Sequence, residues 1–322
     1  MKFCLLLLHK NEKTYNFAAN LCMRSGLTLT AVRMEKRKSM NIIHTVGDLK
    51  TMLDAYRNEG KSIGLVPTMG ALHEGHASLV RRSVAENDVT VVSVFVNPTQ
   101  FNDKNDLAKY PRTLEADCEL LKAEGATIVF APSVEEVYPE PDTRVFSYPP
   151  TDEVMEGGFR PGHFNGVCQV VSKLFMMTEP TRAYFGEKDF QQIAVIRRMV
   201  DDLKFPLELV PCPIVRDKDG LALSSRNALL TAAERIIALN ISKALFDSLD
   251  YAKHHTLAET REHVVEMVNA VDGLEVQYYE IVDGHSLQSL QEWTDSDFIV
   301  GCITVFCGQI PVRLIDNIKY KG

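Results

Sequence analysis

SIGLVPTMGALHEGHASLV, residues 62–80, decides how the rest of the chain is read. Ser62 to Val66 is a short apolar run that stops at Pro67, as a buried strand does. From Gly75 the spacing turns helical, with Leu79 and Val80 on the inner side. Between strand and helix lies a turn that carries Gly70, His73, Gly75 and His76. Such a turn offers unpaired N–H groups to an anion, and its glycines admit a ligand close to the backbone. The two imidazoles can add donors for phosphate oxygens. A zinc site fails on spacing: HEGH separates its histidines by three residues, the H-E-x-x-H helix needs four, and no third ligand is near in sequence.

Outward from this unit the alternation of strand and helix continues. Residues 45–57 have helical spacing through Val46, Leu49 and Leu53. VTVVSVFV, residues 89–96, is β-branched and ends at Asn97-Pro98. A helix over 113–124 and a strand over 127–130 follow. After an irregular stretch, 132–162, helices are expected at 164–177 and 190–203, with strands at 183–185 and 207–210. The pattern predicts an α/β fold, a Rossmann-like parallel sheet covered on both faces. Beyond residue 215 two helices, 231–252 and 257–271, precede strands near 275–281, 298–306 and 310–315, which reads as a smaller α+β domain. The expected division is 40–215 and 216–322, with RDKDG (216–220) as the hinge.

Bulk properties narrow the functions. The chain has 322 residues, is 45% hydrophobic and 24% charged, and carries a formal charge of -8. That balance excludes a general grip on nucleic acid, which needs a basic surface. Seven cysteines without a C-x-x-C pair point to a reducing, cytoplasmic setting rather than to disulfides or zinc. The apolar run Phe3 to Leu8 is too short for a membrane span and has no convincing cleavage site behind it. Residues 1–39 are expected to be a disordered extension, and no membrane partner is expected.

In an open parallel sheet, ligands bind outside the carboxyl ends of the strands. Four polar segments fall there: PTMGALHEGH, VNPTQF (96–101), FGEKDFQQ (185–192) and LALSSRN (221–227). Asn97 and Gln100 can hydrogen-bond an acid or a neutral group. Lys188 suits a polyphosphate, and Asp189 stands where it would cap a helix. Ser224, Ser225 and Arg226 form a run of donors for phosphate. Each segment also has a bland reading as a turn or cap; together they suggest a nucleotide site. His9, His44, His254, His255, His263 and His285 have no such context.

The four segments, together with RPGHFNGV (160–167), resemble the pantothenate synthetase (pantoate–β-alanine ligase) family from Met40 to about Lys321. PTMGALHEGH is similar to its H-x-G-H nucleotidyltransferase signature. The resemblance implies a Rossmann-like nucleotidyltransferase domain, a smaller C-terminal lid and a homodimer. It also implies a two-step ligation: ATP and pantoate give pantoyl adenylate and pyrophosphate, and β-alanine then displaces AMP. ATP is a substrate and Mg²⁺ accompanies it.

The resemblance assigns catalysis to His73, His76, Lys188 and Arg226, with His76 at the position marked as proton donor. It assigns ATP to Met69, Gly70, Ala71, Leu72, His73, Glu74, Gly75, His76, Gly186, Glu187, Lys188, Asp189, Val215, Leu223, Ser224, Ser225 and Arg226. Pantoate and β-alanine fall to Pro67, Thr68, Asn97, Gln100 and Gln192. Arg160 and His163 face the cavity or brace its loop. Asp117 is the one metal candidate, beside its reading as a solvated helical carboxylate. Two rivals remain: a nucleotidyltransferase that stops at a nucleotidylated product, and a nucleotide-binding protein without chemistry. The first would need more basic residues near VNPTQF; the second is disfavoured by the intact His73, His76, Lys188 and Arg226.

Overall fold

The computed structural model describes residues 40–101, 107–108 and 110–322; the extension expected over 1–39 lies outside them. Six strands, β1 (Asn41–Ile43), β2 (Ile63–Thr68), β3 (Val89–Val94), β4 (Ile128–Phe130), β5 (Arg182–Gly186) and β6 (Glu208–Cys212), form one sheet. It is parallel throughout, in the order β1-β4-β3-β2-β5-β6. Its helices are α1 (Val46–Asn58), α2 (Glu74–Glu86), α3 (Leu114–Glu124), α4 (His163–Thr178) and α5 (Phe190–Leu203).

Side-chain alternation along the strands builds two cores. Leu65 and Val91 pack with Leu49, Leu53, Phe164 and Ile196 of α1, α4 and α5. Their neighbours Val66 and Val92 pack on the opposite face with Leu79, Val80 and Leu121 of α2 and α3. Burial on both faces explains why the strands read as continuous apolar runs.

The C-terminal part contains α6 (Ala232–Tyr251), α7 (Leu257–Asn269) and an antiparallel sheet of β7 (Leu274–Asp283), β8 (Ile299–Cys307) and β9 (Val312–Lys321). Thr231 with Glu234, and Thr256 with Glu259, form reciprocal capping boxes that set where α6 and α7 begin. The helices cover one face of this sheet through Leu245, Val264 and Ile303. On the other face Val300 and Cys302 meet Phe190 and Ala194 of α5. The turn at 216–220 is closed by Gly220 N–H donating to Asp217 O at 2.9 Å. Arg216 is clamped to Asp316 on β9 by bonds of 2.6 and 2.9 Å.

Three local features differ from expectation. β1 is too short for a periodic signal and exists by pairing with β4. The irregular stretch contains short helical turns at Val134–Val137 and Glu156–Phe159. Pro67 lies inside β2 rather than ending it. Proline is unusual in a central strand because it cannot donate to a ladder. Here β2 pairs with β5 only at Gly64 and Leu65, so the two strands have parted before Pro67. This parting falls where the chain switches from building one side of the sheet to the other, the usual ligand crevice of such folds.

Candidate active site

The turn between β2 and α2 is held by a carboxylate from α3. Asp117 accepts the amides of Ala71 (3.1 Å) and Leu72 (2.8 Å), and Thr113 Oγ1 lies 3.3 Å from both of its oxygens. Asp117 is buried, so the reading as a solvated helical carboxylate is overturned. Its metal reading weakens too, because both oxygens are engaged in fixing the turn.

His73 is the N-cap of α2, and its Nδ1 accepts the Gly75 amide at 3.2 Å. His76 Nδ1 accepts the His73 amide at 3.3 Å. A backbone N–H can only donate, so both neutral rings carry their proton on Nε2. Burial and Lys188 lower His73 to about 4; burial, His73 and Lys188 lower His76 to about 3. The pair is therefore two uncharged donors, with ring centroids 4.1 Å apart, on one cavity wall. A Cβ on Gly75 would sit 2.9 Å from His73 Cε1. Gly75 thus makes room for the His73 ring, and it also lies on the cavity wall.

The parted ends of β2 and β5 open into a cavity of about 230 Å³. It gathers Pro67, Thr68, Met69, His73, Gly75 and His76 from the first segment. Gly186, Lys188, Asp189 and Gln192 come from the third, and Val215, Leu223, Ser224, Ser225 and Arg226 from the approach to α6. Gln100 stands at its edge, its Nε2 3.2 Å from the Met69 sulfur. Asp189 occupies the N-cap of α5 but makes no capping bond, so its carboxylate is presented to the cavity.

Several expected residues do not present side chains there. Glu74 pairs with Arg81, and Glu187 with Lys319 at 2.8 Å. Leu72 packs into the core against α2 and α3, and Gly70 and Ala71 are outside the cavity wall. Asn97 does line the cavity, with Gln100 beside it. It is fully buried, donates to Gln100 Oε1 (3.0 Å) and Gly166 O (3.1 Å), and accepts from Tyr138 (2.9 Å). Its side chain holds Gln100 in place at the cavity. Gly166 of α4 is what admits this corner: a Cβ there would lie 2.4 Å from Thr99 O.

A smaller hollow of about 60 Å³ adjoins the main cavity between α4, α5 and the C-terminal sheet. Its centre is Glu156, bound by Arg313 at 2.6 and 2.7 Å, Tyr278 at 2.8 Å and Thr304 at 3.0 Å. Burial pushes the Glu156 carboxyl up, but Arg313 and these donors prevail and hold it at about 2. Arg160 lies 3.5 Å from Glu156 and donates to His163 Nε2 at 3.1 Å. His163 therefore carries its proton on Nδ1 and donates to Gln100 O at 3.0 Å. So His163 braces the Gln100 corner, while Arg160 reaches the hollow. Asn317 of β9 donates to Glu187 O (2.8 Å) and Lys188 O (3.1 Å), fixing the third segment.

Glu156, Tyr278, Arg313 and Asn317 were not legible as site residues, because their partners lie far away in sequence. The apolar wall from Phe95, Val167, Val170 and Leu174 was legible only as core. Among the described residues no group of three or more His, Cys, Asp or Glu can hold a metal ion, and no helix is long and apolar enough to cross a membrane. The described cysteines are free, and four of them are buried.

The profile of the Pantoate-beta-alanine ligase family matches residues 41–319. The chain is 69% identical over 284 residues to the pantothenate synthetase of Phocaeicola vulgatus, covering 88% of this chain and 100% of that one. It is similar to the crystal structure of pantothenate synthetase from Thermus thermophilus, with a TM-score of 0.82 and 43% identity, covering 88% of this chain and 100% of that one. A pantoate-beta-alanine ligase from Francisella tularensis, described as complexed with beta-gamma ATP and beta-alanine, matches with a TM-score of 0.74 and 34% identity, covering 88% and 98%.

Proposed function

This chain belongs to the pantoate-beta-alanine ligase family, and on that premise we propose that it joins pantoate to β-alanine by way of a pantoyl adenylate made from ATP. The observation that carries the reading is the neutral His73–His76 pair. Two backbone amides occupy the Nδ1 lone pairs, leaving Nε2–H donors on the wall shared with Lys188 and Arg226.

In the first step a pantoate carboxylate oxygen attacks the α-phosphorus of ATP, and the bond to the pyrophosphate oxygen breaks. Charge repulsion between acid and triphosphate is the obstacle, so fixed donors and cations are the remedy. Lys188, Ser224, Ser225 and Arg226 receive the phosphates. His73 and His76 donate to oxygens that gain charge as pyrophosphate leaves; His76 acts as an uncharged hydrogen-bond donor. Gln100, held by Asn97 and His163, and Gln192 receive pantoate beside Pro67 and Thr68. In the second step the β-alanine amine forms the amide bond and AMP departs.

Mg²⁺ fits this site as part of the incoming MgATP. Among the described residues there is no cage for it, and such ions are commonly held by substrate phosphates with one or two carboxylates. Asp189, at 49% side-chain exposure, is the carboxylate at hand. The residues beyond 215 act as the lid, and the enzyme works as a cytoplasmic homodimer. The Francisella tularensis complex supports ATP and β-alanine as the ligands.

The test is an assay of pyrophosphate release. Release should require pantoate, and pantothenate should appear only when β-alanine is added. Release triggered by a phosphorylated alcohol but not by pantoate would place the chain among the nucleotidyltransferases that stop at the first step.

A further inference from the structure

β9 carries a buried acid where its pattern calls for an apolar residue. Successive side chains of a strand point to opposite faces. Val312, Leu314 and Ile318 pack in the core under α6 and α7. Asp316 has their parity and is 5% exposed, yet it is a carboxylate. Its neighbour Asn317, 4% exposed, belongs to the opposite face with Arg313 and Lys319. A buried acid beside a buried amide is costly unless both are bonded.

Asp316 takes Arg216 through the bonds of 2.6 and 2.9 Å. Arg216 in turn belongs to a narrow hairpin: it bridges Ala222, and the Leu223 N–H donates to Val215 O at 3.0 Å. Pro213 to Val215 on one arm and Leu223 to Arg226 after the other line the cavity. Asn317 reaches the other way. Its side chain faces Glu187 O at 2.8 Å and Lys188 O at 3.1 Å. Carbonyls only accept, so the NH₂ group is turned to them and both of its protons are used. Lys319, two residues on along the same face, adds a 2.8 Å bond to the Glu187 carboxylate.

One dipeptide thus grips two cavity segments from opposite faces of one strand. On one side is the hairpin that leads into Ser224, Ser225 and Arg226; on the other is the turn that carries Lys188. The two residues also fix each other, since the Asn317 N–H donates to Asp316 Oδ1 at 2.8 Å and Arg216 donates to Asn317 O at 3.3 Å. Resting on the ligase reading above, we propose that Asn317 is a positioning residue for adenylate formation. By holding the backbone at Lys188 it sets the ammonium against the Ser224–Arg226 wall, so that both meet the same triphosphate. The C-terminal sheet therefore fixes the phosphate site as well as covering it. A backbone shift of about 1 Å at such a cation is enough to cost a large factor in rate.

The test is a double-mutant cycle between Asn317 and Lys188 in the full-length enzyme, with two readouts. Calorimetry gives the Kd for MgATP, and pantoate-dependent pyrophosphate–ATP exchange gives the rate of adenylate formation. Asn317→Ala should weaken MgATP binding roughly three- to tenfold, the worth of the lost bonds. It should slow exchange roughly ten- to hundredfold. Asn317→Ser keeps one donor and should lose less; it also carries the cycle if the alanine variant does not fold. In a Lys188→Ala background both effects should vanish, because the group being positioned is gone. Losses of the same factor in both backgrounds would make Asn317 a purely structural residue and overturn the proposal, as would unchanged Kd and exchange in Asn317→Ala. A wild type that binds MgATP but shows no exchange would instead sink the ligase reading, while the coupling in MgATP affinity still decides the role of Asn317.

Discussion

Asp117 on α3 accepts the amides of Ala71 and Leu72, at 3.1 and 2.8 Å, and so shapes the turn between β2 and α2, 46 residues before it at Ala71. Removing the acceptor leaves buried donors unpaired, at about 1–3 kcal/mol each. Asp117→Ala should lower stability by about 3 kcal/mol in urea denaturation and raise the KM for ATP. A wild-type midpoint would show that water replaces the carboxylate.

Gly75→Ala tests whether that glycine makes room for the His73 ring. Alanine suits a helix, so the melting temperature should change little. The added Cβ, 2.9 Å from His73 Cε1, must turn the imidazole away from the cavity. Turnover should fall at least about tenfold, as expected for losing one oriented donor. Unimpaired turnover would mean the His73 ring can shift without consequence.

His76→Ala removes a donor used mainly as charge develops. We expect kcat to drop by roughly 10²–10³ with only a modest change in ATP affinity. Equal loss in binding and turnover would make His76 a ground-state ligand instead.

Glu156 and Arg313 join the turn before α4 to the C-terminal sheet through bonds of 2.6 and 2.7 Å. Breaking a buried pair from one side costs about 3–5 kcal/mol, because the remaining charge is stranded. Arg313→Met should therefore destabilise more than the double variant Glu156→Gln/Arg313→Met. Strictly additive losses in a double-mutant cycle would show that the two residues do not act as a unit.

Acid should destabilise the fold through its buried histidines. Burial and Arg160 lower His163 from 6.5 to about 4, and His73 and His76 are lowered as well. Between those values the unfolded chain binds protons that the folded rings refuse, so stability is full above pH 6.5 and lost as the pH falls. Glu156, held at about 2, adds a further loss below its ordinary 4.5. His163→Gln should flatten the stability profile between about pH 4 and 6.5 by about 1.4 kcal/mol per pH unit. A slope identical to wild type would place the uptake elsewhere.

Much of this protein was legible before any coordinates. The β2–turn–α2 unit, the parallel sheet with helices on both faces and the order of the polar segments follow from periodicity and punctuation, which act over a few residues. His73, His76, Lys188, Gln192 and Arg226 were read as cavity residues and do line it. What stayed illegible shares one cause. Asp117 reads as a solvated carboxylate, yet it accepts the amides of Ala71 and Leu72; Asn97 and Gly75, which do line the cavity, also meet Gly166, Tyr138 and the ring of His73, which their types do not reveal. A side chain's type states what it can bond to; only its neighbours in space state what it does bond to.

The sequence by itself determined the architecture, the family and the segments that line the cavity, because local patterning and contiguous motifs carry that information. Tertiary structure alone decided the tautomers of His73, His76 and His163, since each depends on which donor or acceptor meets Nδ1 or Nε2. It alone brought Glu156 to Arg313 across 157 residues of chain and formed the hollow beside them. Those features arise from hydrogen bonds and burial between distant segments, and such contacts exist only once the chain has folded.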